Sequence, residues 1–166
     1  VPSAFNWFIL MLSVMLYPPF IDQAIKTNRR KILASATADV RIEFEEAQKY
    51  INDKARANAV TESLLKELVE TKRATEFLLA FAHYTGIDPA TTTRIFQDRS
   101  WESLSIASRA VGLERSTFAK IIFGLQRQSD DQAKALRILD LYLKIPQEAA
   151  ERVMRFWRVR AQSAAA

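Results

Sequence analysis

Apolar residues along this chain recur at intervals of three and four, and from Asp22 onward they nowhere alternate with polar residues over any length. That spacing matches the 3.6-residue period of an α-helix and not the two-residue period of a strand. Val40, Phe44, Ala47 and Ile51 form one stripe, with Thr37 as a candidate cap at its start. Leu64, Leu65, Leu68 and Val69 form a second, with Thr61 as candidate N-cap. Phe77, Leu78, Phe81 and Ala82 form a third, ended by Gly86, a residue suited to the left-handed position after a helix. Asp88-Pro89 places a capping carboxylate ahead of a proline at the first helical position. Ser100 is the candidate cap of the next helix and Gly112 its end. Ser129, Asp130 and Asp131 open another helix with charges suited to its N-terminal dipole, and Pro146 starts the last. Connections of about two to five residues predict antiparallel neighbours. The predicted fold class is therefore all-α: antiparallel helical hairpins in series, stacked as a short solenoid or packed as an orthogonal bundle, with an apolar N-terminal helix in front.

The hairpins share a pattern. Ile87 is followed at seven, eight and nine residues by Arg94, Ile95 and Phe96; Leu113 by Lys120, Ile121 and Ile122; Ile145 by Arg152, Val153 and Met154. Each anchor falls in a tight turn, where it can staple into the following helix while the basic residue points outward. Hairpins in such a series predict a repeat architecture.

The start of the chain reads differently. Residues 1–21 carry no charge, and residues 3–21, SAFNWFILMLSVMLYPPFI, are almost wholly apolar. A helix over 3–17 would be about 22 Å long, short of the roughly 30 Å of a bilayer core. Trp7 and Tyr17 lie near its ends, and Lys26, Arg29, Arg30 and Lys31 against Asp22 form a +3 collar behind it. That order fits a membrane anchor with the rest of the chain in the cytoplasm. It equally fits a buried helix of a cytoplasmic protein. Pro18-Pro19 ends the helix in either case. The predicted organisation is an apolar segment over 1–21, a helical-hairpin domain over 22–160 and a disordered tail over 161–166.

Composition narrows the chemistry. The 166 residues include no Cys, one His and three Gly, with a net charge of +5. No disulfide, thiolate site or Cys nucleophile is available. A single imidazole removes metal sites that need two, and three scattered glycines leave no phosphate-cradling loop. No cofactor, metal or catalytic residue is expected. His83 lacks partners at helical spacing and reads as a partly buried structural residue near a helix end. Glu43/Glu46 and Glu67/Glu70 place paired carboxylates on single helix faces, but nearby Lys49, Lys66, Lys72 and Arg73 make those faces ordinary solvated ones.

Two segments remain as candidate binding surfaces. Residues 103–127 resemble a helix-turn-helix of a transcriptional regulator. Gly112 stands in the turn, Ser108 is small where helices approach, and Phe118 is apolar. Its second helix would present Arg115, Ser116, Thr117, Lys120 and Arg127 to a major groove, although Phe118, Ile121, Ile122, Phe123 and Leu125 suit packing better. In the last helix, Arg152, Arg155, Arg158 and Arg160 rim Val153, Met154, Phe156, Trp157 and Val159. Arg152, Arg155, Phe156, Trp157 and Arg158 are the candidate contact set for an acidic partner or anionic lipid heads.

Three blocks carry a family resemblance: TESLLKELVETKRATEFLLAFAHYTGID, FQDRSWESLSIASRAVGLERSTFAKII with Ala110, Gly112, Leu113 and Phe118 at its centre, and RVMRFWRVR. From about Asp39 to Arg160 the chain resembles the C-terminal part of an uncharacterised, mainly alphaproteobacterial family. The resemblance implies an all-helical, repeat-like protein with no assigned activity and transfers no site residue. The expected function is that of a non-enzymatic interaction or scaffold subunit, perched on a membrane by residues 3–21 or free of it. Its partner would be another protein or further copies of itself. DNA binding through residues 103–127 is the alternative.

Overall fold

The computed structural model describes residues 25–125 and 131–165, with side chains over 37–125 and 132–163. These form eight helices and no strand: α1 (Ile25–Arg56), α2 (Glu62–Glu70), α3 (Ala74–Thr85), α4 (Pro89–Gln97), α5 (Glu102–Ala110), α6 (Arg115–Leu125), α7 (Asp131–Lys144) and α8 (Gln147–Ala165). Residues 3–21, Ser129 and Asp130 lie outside the described residues.

Several ends fall where local chemistry puts them. The Thr61 hydroxyl accepts from the Leu64 backbone N–H at 3.4 Å, and Asp88 accepts from Thr91 N–H at 2.9 Å ahead of Pro89. Gly86 and Gly112 adopt φ of 67° and 69°. The residues behind them, Ile87 and Leu113, donate back to Ala82 and Ser108 at 3.1 Å. The same five-residue back-bond closes two more helices, from Ala59 to Lys54 and from Arg73 to Leu68, with Asn58 and Lys72 in the left-handed position. Of the three pattern anchors, Ile87 and Leu113 follow this turn, whereas Ile145 donates to Leu141 as an ordinary helical bond and has no left-handed residue before it. Ile95, Ile121, Ile122 and Met154 are buried as the pattern requires, while Arg94, Lys120 and Arg152 are exposed.

Three expectations change. Thr37 starts no helix, because α1 runs unbroken through it from Ile25. Trp101, not Ser100, is the N-cap of α5, at φ 61° and with no side-chain cap bond. Asp98 organises that turn, accepting from Ser100 N–H at 2.9 Å, from the Ser100 hydroxyl at 2.7 Å and from Ser103 N–H at 3.3 Å. Burial would raise the Asp98 carboxyl's pKa, but these donors outweigh it and hold the pKa below the ordinary value. The predicted tail from 161 is instead the last turn of α8, which continues to Ala165.

Phe77 through Ala82 are buried in succession, so α3 is covered on every side. It packs against α1, α2 and α4. Phe77, Phe81 and Phe96 form an aromatic triangle with centroids 5.1–6.0 Å apart. Further along, α6 lies between α2 and α7, and α5 packs on α7 and α8. Phe118 stacks on Tyr142 at 4.1 Å. Arg109 donates to the Ile145 carbonyl at 2.9 Å, tying α5 to the α7–α8 turn.

Candidate functional sites

The α5–α6 hairpin has the outline of a helix-turn-helix, but its second helix is engaged elsewhere. Thr117 is fully buried, and its hydroxyl donates to the Glu62 carboxylate on α2. Glu62 also accepts from the Glu114 backbone N–H at 3.0 Å. Lys120 pairs with Glu70 at the far end of α2. Lys66 reaches Glu114 at 3.4 Å, and Ser116 donates to the same carboxylate at 3.1 Å. Hydrogen bonding from Ser116 and the charge of Lys66 hold the exposed Glu114 carboxyl below its usual range. Gly124 explains how closely the helices approach: a Cβ there would stand 3.0 Å from the Val69 side chain. Arg115 is exposed, and Arg127 lies outside the described residues. Of the five candidate base readers, Thr117 and Lys120 therefore hold α6 onto α2. A buried Thr117 cannot reach a groove.

The α8 candidates divide between two faces. Ala150 and Met154 are buried, and Trp157 packs partly against the core. Arg158 also turns inward and donates to the Thr85 carbonyl at the end of α3, its guanidinium 3.5 Å from where a Gly86 Cβ would stand. Trp157 and Arg158 are thus half-buried and engaged with the fold. The steps of four, three and four along Ala150, Met154, Trp157 and Ala161 are the sequence signal for that inward side.

The opposite side carries Arg152, Arg155, Phe156 and Val159, with Arg160 at its edge, all exposed. Phe156 and Val159 are 61% and 62% exposed. Arg152, Arg155 and Arg160 make no ion pair among the described residues. Exposed Leu136 and Leu143 on α7 and Phe123 on α6 are further apolar surface that the sequence reading did not single out. Their signal was an apolar residue on the polar side of its helix.

His83 is exposed, not partly buried, in the last turn of α3. No group of three or more His, Asp or Glu that could hold a metal ion occurs among the described residues. Glu43, Glu46 and Glu67 are exposed, while Glu70 is taken by Lys120. No helix among the described residues is long and apolar enough to cross a membrane.

A family described as an uncharacterised protein conserved in bacteria (DUF2336) matches residues 17–155. The match takes in all of α1, starting well ahead of the Asp39 boundary, and stops inside α8 just before Phe156. No curated protein and no solved structure matches the chain.

Proposed function

We infer function from the surface, because the chain belongs to the DUF2336 family, whose description assigns no activity. The protein is a non-enzymatic helical interaction module, and the outward face of α8 is its docking surface for an acidic protein partner. One observation carries this reading: Arg152, Arg155 and Arg160 surround exposed Phe156 and Val159 and have no ion pair among the described residues. Arginine and aromatic side chains are the types that anchor protein interfaces. A face that joins both, with its charges uncompensated, gains most from an acidic counterpart.

The test is co-purification with the tagged full-length chain, comparing wild type with Arg155→Glu and Phe156→Asp. Both positions are exposed, so circular dichroism should stay helical. The expected result is loss of the same co-purifying partner from both variants. Undiminished capture by both would remove this face as the docking surface.

A further inference from the structure

Two faces of this chain are exposed, amphipathic and opposite in charge. One is the outward side of α8. The other is on α1, where Asp39, Ile42, Glu43 and Glu46 fall at steps of three and four and so share one side of the helix. All four are exposed, Ile42 by 49%. This side lies roughly 100° around the helix from the stripe of Val40, Phe44, Ala47 and Ile51, of which Ala47 and Ile51 are buried. Neighbouring carboxylates are neutralised locally, Glu45 by Arg41 and Asp53 by Arg56, each at 3.7 Å. Asp39, Glu43 and Glu46 have no ion pair among the described residues.

The two faces match in size as well as sign. Asp39 to Glu46 covers seven residue steps and Arg152 to Arg160 eight, about 11 and 12 Å of helix. Each has three like charges around an apolar centre, Ile42 on one and Phe156 with Val159 on the other. No ion pair joins them within the chain. Instead α1 packs on α3, and α8 on α5.

We propose that the acidic partner of α8 is α1 of a second copy of this chain. Asp39, Glu43 and Glu46 of one copy meet Arg152, Arg155 and Arg160 of the other, and Ile42 packs against Phe156 and Val159. Because every copy offers both faces, a two-fold axis forms the contact twice. That doubling matters, since one short helix-on-helix patch is small for a stable association. The proposal rests on the reading of α8 as the docking face and names its occupant.

The experiment is light scattering and sedimentation on the full-length chain over a dilution series at low and high salt. It uses two charge-reversed variants, Arg152→Glu/Arg155→Glu/Arg160→Glu and Asp39→Lys/Glu43→Lys/Glu46→Lys, each checked for unchanged helical circular dichroism. The wild type is expected to be dimeric and to dissociate as salt screens the exposed charges. Each variant alone is expected to be monomeric. An equimolar mixture of the two should restore a one-to-one dimer, because both of its contacts are again complementary. A dimer that survives both reversals, or a mixture that stays monomeric, overturns the proposal. So does a wild type that is monomeric throughout. If that monomer still co-purifies its partner through Phe156, the docking face stands and only the second copy is excluded. If it captures nothing, both readings fall.

Discussion

Lys120 on α6 and Arg152 on α8 occupy the same place in the repeated pattern, seven residues after a turn anchor, yet they do opposite things. Lys120 is held by Glu70, and its helix is clasped along one side by α2. Arg152 is exposed and makes no ion pair among the described residues, on a helix that packs on α5. The spacing from the turn anchor and the exposure of the basic residue are alike, although Leu113 follows a left-handed Gly112 and Ile145 closes its turn with an ordinary helical bond to Leu141. What differs is whether a distant helix arrives to use it. A basic residue at a recognition-like position is therefore not yet a binding residue, because the fold can spend it on its own packing.

The largest test sets Phe118 against Phe156. Phe118 is 0% exposed and stacked on Tyr142. Phe118→Ala should cost about 3–5 kcal/mol in chemical denaturation, the range for emptying a core aromatic site. Phe156→Ala should stay within about 0.5 kcal/mol of wild type. A comparable loss at Phe156 would mean that α8 has no free face.

Thr117→Val keeps the shape but strips the hydroxyl that donates to Glu62. Its expected cost is about 1–3 kcal/mol. The same measurement on Arg152→Ala should show almost nothing, and a cost equal to that of Thr117 would erase the contrast.

The two sides of α8 can be separated next. Gly86→Ala forces a side chain into a left-handed turn and toward the Arg158 guanidinium. It should lower stability by about 1–2 kcal/mol while co-purification through Phe156 persists.

Acid should loosen the start of the α5–α6 hairpin. The Asp98 carboxyl sits below its ordinary 3.8 in the folded chain. Its contribution is therefore present above that value and lost as pH falls through the lower folded one. Amide exchange at Ser100 and Ser103 should accelerate there, and Asp98→Asn should remove that pH dependence.

The smallest effect belongs to Lys120→Ala. Both partners of its ion pair are about half exposed, so the loss should be below about 1 kcal/mol and shrink with salt.

The sequence is most readable where structure is local. The caps at Thr61 and Asp88 and the turns at Gly86 and Gly112 each depend on residues within one turn of helix, and all four are legible from residue type. Asn58 is a residue type that favours the left-handed position, whereas Lys72 carries no mark of that conformation. The Trp101 cap hides for the same reason. Within α8, adjacent Phe156 and Trp157 look alike by composition, and only the stripe through Met154 shows which one faces inward. The grip of Glu62 on Thr117 spans 55 residues. No local pattern encodes it, so the sequence of the hairpin does not show that Thr117 and Lys120 are turned onto α2.

That long grip also bears on how the chain comes together in time. The contacts of α2 with α6 join positions 48–55 residues apart, and closing so long a loop from an unfolded chain carries a large entropic cost. The hairpins between them close over a few residues and lie on the fast side of that scale. Once α3, α4 and α5 are ordered, α2 and α6 are brought near each other and the remaining closure is short. Loop length alone therefore places the clasp that withdraws Thr117 and Lys120 from the surface after the local hairpins.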